Sequence, residues 1–281
     1  KQNNMKTKLL SILLFTTFLS FSQISLVKDM NPGAGDGVGT QPINRIAYNG
    51  NLIFSGGDSN TGNELWITDG TLAGTKLVRE ILTSSATGGS NPQKFYEFNG
   101  ILYFSARRPA NNTSGTVGHQ LYATDGTTAG TNISFPTLSI GGNSNPANFM
   151  EYNNELILTA KISNSTASLG KKLLAFDGNT WSPTNYGETI MVGGNDLDPQ
   201  NIIEFNGVLL YNAFTNINGR ELWQSNALSS GLFLDINPGA ADANPSQLTI
   251  FNNKLYFTAD DGTNGTELWV TDGTVSNTKM V

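Results

Sequence analysis

The sequence predicts an all-β fold, a β-propeller of about five four-stranded blades, and three observations lead to this prediction. A unit of about fifty residues recurs five times between positions 25 and 281. Each unit contains short apolar segments separated by Asn-Gly or Asp-Gly turns, a pattern typical of antiparallel strands. Four strands in about forty to fifty residues is the sequence signature of a propeller blade. We expect the blades to be a fragment of a longer array, because TKMV (278–281) only opens a last strand.

Residues 1–22 are predicted to be a signal peptide, and residues 1–4 lie upstream of the predicted initiator, Met5. Lys6 and Lys8 form a short basic start, and the apolar run LLSILLFTTFLSFS follows them. This run is too short for a membrane span but has the length of the hydrophobic region of a secretory signal. We therefore expect a secreted, extracellular protein at the cell surface, with no transmembrane segment in its mature part, residues 23–281.

The composition excludes several kinds of site. Without residues 1–22, the chain keeps 13 basic and 22 acidic residues, a net charge of −9, and its cations are not clustered in sequence. Nucleic acid is therefore not an expected partner, because phosphate binding depends on clustered Lys and Arg. The chain has no cysteine, which excludes disulfides, thiolate metal sites and cysteine nucleophiles.

The repeat is clearest in the octets ELWITDGT (64–71) and ELWVTDGT (267–274). The first octet positions recur at spacings of 56, 52, 49 and 46 residues, with QLY (120–122), KLL (172–174) and ELW (221–223) in the middle units. A proline lies six or seven residues before the aromatic residue that opens each predicted hairpin turn, which supports the same register. The approximate units are 25–75, 76–131, 132–184, 185–231 and 232–281.

Each unit is predicted to contain four strands. In unit two, KFYEF (94–98) meets ILYFSA (101–106) across Asn99-Gly100, and QLYAT (120–124) leads through a DGT turn into a strand of the TKLVRE type (75–80). The strands are apolar on both sides, as expected when neighbouring blades cover both faces. A string of small β-sandwiches or a β-solenoid are the alternatives, but a unit of about fifty residues is small for the first and long for the second.

The octet is interpreted as structural. Its Asp can accept backbone N–H bonds in an Asx-turn, its Gly can take a positive φ, and its Thr can satisfy further loop amides. Its Trp lies beside a Leu on a predicted inner strand and offers a large apolar area between blades. The predicted structural residues of the repeat are Glu64, Leu65, Trp66, Asp69, Gly70, Thr71, Leu121, Tyr122, Asp125, Gly126, Thr127, Leu222, Trp223, Glu267, Leu268, Trp269, Asp272, Gly273 and Thr274.

Two segments, ELWITDGTLAGTKLV (64–78) and ELWVTDGTVSNTKMV (267–281), resemble the ELWxxDGT repeat family of the Bacteroidetes. The resemblance covers nearly all of residues 25–281, although LLAFDGNTW (173–181) and ELWQSNALSSG (221–231) depart from the motif. Members of this family are secreted or surface proteins, often with a C-terminal sorting domain for type IX secretion. The resemblance implies an extracellular, propeller-like protein at the cell surface, and it implies no defined ligand.

Acidic loops are the candidates for a metal site. DMNPGAGD (29–36) and DINPGAAD (235–242) share an Asp spacing, and GDSNTGNE (57–64) resembles DDGTNGTE (260–267). Oxygen-rich Asp and Asn loops suit calcium, but the spacing is not that of an EF-hand loop, and we favour solvated turns. No other cofactor is expected. The calcium candidates are Asp36, Asp58, Asp242, Asp260 and Asp261.

Catalysis has little support in the sequence, and no catalytic residue is predicted. His119 is the only histidine, so no histidine triad is available, and we expect it to be a solvated loop residue. A pair of carboxylates for glycoside hydrolysis remains an alternative, because a propeller can bring distant acids together. Arg107 and Arg108 are the only adjacent arginines, in one loop.

The sequence therefore favours a surface binding or adhesion module for a glycan or a protein. Binding is expected in irregular loops such as RRPANNTSGTVGHQ (107–120), with Arg107, Arg108 and His119 as candidate ligand residues, because loops on a rigid scaffold carry specificity. A secreted polysaccharide hydrolase or lyase is the first alternative. An architectural surface protein without a discrete ligand is the second.

Overall fold

Five four-stranded antiparallel sheets follow one another along the chain in the computed structural model. It describes residues 26–31, 44–58, 60–83, 88–108, 118–134, 143–163, 168–179, 181–182, 197–226 and 229–281. The strands are β1 Arg45–Tyr48, β2 Asn51–Asp58, β3 Gly62–Thr68, β4 Lys76–Arg79, β5 Gln93–Phe98, β6 Ile101–Arg107, β7 His119–Thr124, β8 Asn132–Ile133, β9 Ala147–Tyr152, β10 Glu155–Ser163, β11 Ser168–Phe176, β12 Trp181–Ser182, β13 Gln200–Phe205, β14 Val208–Thr215, β15 Gly219–Ser225, β16 Ser230–Leu234, β17 Ser246–Phe251, β18 Lys254–Asp260, β19 Thr266–Thr271 and β20 Lys279–Met280.

Each sheet is a meander of four strands that are consecutive in the sequence. The first strands of successive blades, β1, β5, β9, β13 and β17, contact one another in chain order and line the inner side of the array. This arrangement of radially repeated four-stranded sheets is that of a β-propeller, and the predicted fold class is confirmed. No helix among the described residues is long and apolar enough to cross a membrane.

The hairpin turns between the first two strands of each blade are built from asparagine and glycine. Asn49 and Gly50 have φ values of 48° and 74°, and Asn99 and Gly100 have 51° and 74°. Two consecutive left-handed residues define the tight turn that matches strand twist, and asparagine tolerates this region better than other side chains. The turn of the third blade is Asn153-Asn154, also with positive φ at both residues.

The hydrophobic core lies between adjacent blades and is built by alternation along the third strand. Leu65 and Ile67 of β3 pack with Leu102 and Phe104 of the second blade. Trp66, between them in sequence, points to the other side of the sheet and packs with Met30 and Phe54. Side chains of a strand alternate between faces, so the Leu of the octet covers the following blade and the aromatic residue covers the preceding side.

The same rule holds in the units whose motif has diverged. Leu173 packs in a cluster with residues of the fourth blade, while Leu174 packs in a cluster with residues of the second blade. Trp223 belongs to the cluster between the third and fourth blades. Trp269 packs against the fourth blade in a cluster with Leu222. The octet strand is the third of each sheet, whereas the innermost strand of each blade is its first.

The blades are offset from the sequence units. The fourth strand of the first sheet, β4, pairs with β3, so Lys76–Arg79 closes the first blade although position 76 opens the second unit. In the second to fifth blades the first strand follows an Asx-Pro pair, and in the first, second and fifth blades the last strand follows the DGT turn. In the fifth blade that last strand is β20, which pairs with β19.

Candidate functional site

The meander divides the blade connections between two ends of the sheets. One end carries the turns that join first to second strands and third to fourth strands, and we name it the constant face. The opposite end carries the connections between second and third strands and the linkers between blades, and we name it the variable face. Turns from first to second strands are two residues long in every blade, but connections from second to third strands range from three residues (59–61) to eleven (108–118).

The DGT turns on the constant face have the predicted Asx geometry. Asp69 Oδ1 accepts hydrogen bonds from the backbone N–H and the hydroxyl of Thr71, at 2.9 and 2.7 Å. The Thr71 Oγ1 in turn accepts from the Gly74 N–H at 2.9 Å, and a Cβ at Gly74 would collide with the Asp69 carboxylate. The bonds from Thr71 lower the pKa of Asp69.

The same turn is built at the two other intact copies of the motif. Asp125 accepts from the Thr127 N–H and hydroxyl at 2.8 and 2.7 Å. Asp272 accepts from the Thr274 N–H and hydroxyl at 3.0 and 2.7 Å. The acid of each turn is therefore engaged by its own loop.

The glutamate of the octet has a role that the sequence interpretation missed. Glu64 is fully buried and accepts hydrogen bonds from the N–H groups of Ile81, Leu82 and Ser90, at 2.8, 3.2 and 2.9 Å. The Ser90 hydroxyl donates a fourth bond at 2.5 Å. These donors belong to the linker that leads to the second blade. Burial raises the pKa of Glu64 against the lowering effect of these bonds.

Glu221 repeats this clamp between the fourth and fifth blades. It is fully buried and accepts from the N–H groups of Ile236, Asn237 and Ala243, at 2.7, 3.3 and 3.2 Å. Burial raises its pKa to about 7. Gln120 takes the same position in the second blade, where its Oε1 accepts from the Ser144 hydroxyl at 3.3 Å. A glutamate recurring in three of five units was the available sequence signal.

The residue before the first octet position lies at the variable face and is polar in every blade. These residues are Asn63, His119, Lys171, Arg220 and Thr266. Asn63 donates to the Asn91 Oδ1 at 3.1 Å, across the gap to the next linker. In the first four blades the position therefore places a different polar side chain beside the next blade.

Lys171 and Arg220 share one acid. Lys171 Nζ lies 3.0 Å from Asp198 Oδ1, and an Arg220 guanidinium nitrogen lies 3.1 Å from Asp198 Oδ2. Arg220 also donates to Asn212 Oδ1 at 2.9 Å. Burial raises the pKa of Asp198, but Lys171, Gln200 and Arg220 outweigh it, and the pKa is lowered overall.

The prediction that His119 is a solvated loop residue is wrong. His119 is the first residue of β7 and is partly buried. Its Nδ1 lies 3.1 Å from both Gln93 Nε2 and Ser105 Oγ. Burial, with the charges of Arg107 and Lys94, lowers its pKa to about 4, so the ring is neutral at pH 7. The strand extends one residue before the QLY segment, which motif comparison could not reveal.

The three candidate ligand residues do not all meet. Arg107 ends β6 and lies opposite His119 in the strand register. Arg108 instead acts electrostatically on Tyr122, which packs in the cluster with the first blade. The rest of the predicted ligand loop, positions 109–117, lies outside the described residues.

The calcium candidates lie in turns that already supply donors to them. Asp58 Oδ1 accepts from the N–H groups of Asn60 and Thr61, and Asp261 Oδ1 from those of Thr263 and Asn264. Asp260 accepts from the Gly262 N–H, and Asp242 from the Arg220 N–H. Asp36 lies outside the described residues. Within the described part of the chain, no three His, Asp or Glu side chains converge as metal ligands.

An apolar groove of about 580 Å³ lies on the side of the first blade that faces away from the second blade. Its lining includes Leu26, Val27 and Met30 of the N-terminal segment together with Leu52 and Phe54 of β2. Lys28 donates to the Thr75 carbonyl at 2.7 Å and lies over the Trp66 ring. The segment 26–31 thus partly covers the aromatic side of the first blade.

Comparison with known proteins supports the fold. No family model and no curated protein matches the sequence. A structure from a study of two prolyl endopeptidases matches with a TM-score of 0.51 and 11% identity, over 88% of this chain and 36% of that chain. The β-propeller domain of the Trilobed protease from Pyrococcus furiosus matches with a TM-score of 0.46 and 11% identity, over 82% of this chain and 63% of that one. The chain spans less than two thirds of either protein, and at these identities the likeness concerns the fold alone.

Proposed function

We propose that this chain is an exported propeller at the cell surface that binds a glycan or a protein through its variable face. The observation that carries the proposal is the division of the two faces. Constant-face connections are two residues long between first and second strands and four to seven residues long between third and fourth strands, whereas variable-face connections range from three to seventeen residues. Loops of differing length on a rigid scaffold are where binding specificity is found.

The octet residues serve the scaffold in this proposal. Asp69, Asp125 and Asp272 are engaged in their own turns, and Glu64 and Glu221 hold the linkers between blades. The two buried glutamates are the described carboxylates whose pKa is raised. Because both are fully buried, they do not meet a substrate as a general acid would have to. The hydrolase or lyase alternative is therefore left to experiment.

Export is supported by the predicted signal peptide at residues 1–22 and by the resemblance to the ELWxxDGT family. In native cells, mass spectrometry is expected to find Gln23 as the N-terminal residue, and protease treatment of intact cells is expected to remove the protein. An intracellular protein that retains residues 5–22 would contradict this part of the proposal.

Binding is tested by arrays of glycans and extracellular proteins, with a panel of polysaccharides incubated in parallel to detect cleavage. The proposal expects reproducible binding to one class of ligand and intact polysaccharides. Cleavage of any polysaccharide would favour the enzyme alternative. Blank arrays, with a chain that melts cooperatively, would favour an architectural role.

A further inference from the structure

The repeat places equivalent polar residues at two junctions between blades at the variable face, and we name each junction a groove. Between the third and fourth blades, Asp198 precedes Pro199 and balances the charges of Lys171 and Arg220. Between the second and third blades, Asn145 precedes Pro146 at the equivalent position. Asp198 and Asn145 have similar left-handed φ values, 38° and 44°. The two grooves therefore have the same left-handed conformation at this position but differ in one negative charge.

The groove between the second and third blades nevertheless contains cations. Arg107 lies opposite His119 in the strand register, and Lys94 follows Gln93, whose Nε2 lies 3.1 Å from the His119 ring. Lys94 Nζ reaches across to the Pro146 carbonyl at 3.4 Å. Among the described residues, neither Arg107 nor Lys94 forms an ion pair, and both are partly buried. Lys94 and Arg107 are far apart in the sequence and come together beside His119 only in the folded blade.

Partly buried cations without a counter-charge are costly. Burial, followed by the charge of Lys171, lowers the pKa of Lys94, as expected for a cation in an environment that disfavours it. An anion in the groove would relieve this cost through charge-assisted hydrogen bonds, and a guanidinium can bind a carboxylate with two parallel bonds. The neutral groups beside the cations are His119, Gln93 and Ser105, of which Gln93 and Ser105 each hydrogen-bond to His119 Nδ1.

We propose that the groove between the second and third blades binds the carboxylate of an acidic sugar in a polysaccharide. Lys94 and Arg107 pair with the carboxylate, and the neutral polar groups around His119 bind the sugar hydroxyls beside it. A uronic acid carries hydroxyls next to its carboxylate, which these polar groups can bind. The carboxylates of an acidic peptide have no such neighbours, so we favour the uronic acid as the ligand. This inference rests on the proposed function and names its ligand class.

The test is calorimetric titration of the full chain with oligogalacturonate at low salt. The comparison ligands are a carboxyl-reduced oligosaccharide, a sulfated oligosaccharide and a polyglutamate peptide. We expect oligogalacturonate to bind more tightly than all three. Tighter binding of the sulfated oligosaccharide or the peptide would overturn the proposal, as would equal binding of the reduced oligosaccharide.

Three variants locate the site. Arg107→Gln and Lys94→Gln each remove one cation, and Gln247 already occupies the position of Lys94 in the fifth blade with a similar φ, 55° against 59°. Each is expected to weaken binding about tenfold, the size of one charge-assisted bond. Asn145→Asp supplies the acid found in the neighbouring groove, so it should weaken binding while preserving or raising the melting temperature. Lys254→Gln, which removes an exposed cation beside a constant-face turn, is the control.

The results separate this inference from the proposed function. Unchanged affinity in Arg107→Gln, Lys94→Gln and Asn145→Asp would overturn the proposed binding site. An equal loss of affinity in Lys254→Gln would do the same. If the arrays reveal a ligand that Asn145→Asp binds as well as the parent chain does, the surface-binding function stands and this site is wrong. If neither the arrays nor oligogalacturonate give binding, both proposals fail.

Discussion

The Ser90 hydroxyl donates to the Glu64 carboxylate at 2.5 Å, which links a strand of the first blade to the linker entering the second. The two residues are 26 positions apart. The Ser90 carbonyl also accepts from the Arg107 N–H at 2.7 Å. This short segment therefore joins the first blade to the innermost hairpin of the second, and the octet's glutamate holds it in place.

Removing the buried clamp should destabilise the propeller. Glu64→Ala leaves three backbone N–H groups and one hydroxyl without their acceptor in a buried site. We expect a loss of about 3 kcal/mol or more in the free energy of unfolding, measured by urea denaturation. Glu267→Ala is the matched control, because Glu267 holds the same octet position but is exposed. It should change stability by less than about 0.5 kcal/mol, and equal losses in both variants would disprove the clamp.

Glu221 should make stability depend on pH. Its folded pKa of about 7 lies above the ordinary value of 4.5, so the folded state binds the proton more tightly than the unfolded state does. This contribution is fully present below pH 4.5 and is lost as the pH rises through 7, by about 3 kcal/mol in total. Glu221→Gln cannot titrate, and Gln120 shows that a blade accommodates glutamine there. Between pH 4.5 and 8, the free energy of unfolding of the parent chain should fall by about 3 kcal/mol relative to that of this variant, as measured by urea denaturation at each pH. If the two free energies change with pH in the same way, the pKa of Glu221 is not raised.

The leucine of the octet should matter only where a following blade covers it. Leu65 is 0% exposed between the first and second blades, whereas Leu268 is 46% exposed. Leu65→Ala should therefore cost about 2–5 kcal/mol in unfolding free energy. Leu268→Ala should cost less than about 1 kcal/mol, because less apolar area is buried there. Comparable losses in both variants would mean that the blades do not stack in this order.

Calcium should neither bind nor stabilise the protein. The carboxylates of Asp58 and Asp261 already accept two backbone N–H bonds each, which lowers the pKa of both groups and fixes their orientation in the loops. A calcium titration should give no heat of binding, and a chelator should leave Tm unchanged. A rise in Tm with calcium that is lost in Asp58→Asn or Asp261→Asn would contradict this expectation.

The parts of the structure that the sequence predicted are those set by local chemistry. Asn99-Gly100 and the Asp125 turn follow from neighbouring residues, and the repeat spacing placed Leu173 and Leu174 on the correct strand despite the lost motif. The role of Glu64 depends on N–H donors 17 to 26 residues away. The sharing of Asp198 by Lys171 and Arg220 likewise depends on three segments that meet only in the fold. Local turn chemistry could be read from the sequence, and contacts across blades could not.

The functional division of the two faces can be tested by blocking one face at a time. The chain has no cysteine, so single cysteines can be labelled selectively with a polyethylene glycol chain. Leu72, 67% exposed, lies in a constant-face turn, and Ile217, 64% exposed, lies in a variable-face loop. Leu72→Cys and Ile217→Cys are therefore matched in residue type and exposure.

The decisive measurement is the affinity of each labelled variant for the ligand found on the arrays, with each unlabelled variant as its own reference. Labelling Ile217→Cys should abolish binding, while labelling Leu72→Cys should leave the affinity unchanged. Loss of binding only on labelling Leu72→Cys would place the binding site on the constant face and contradict the central claim.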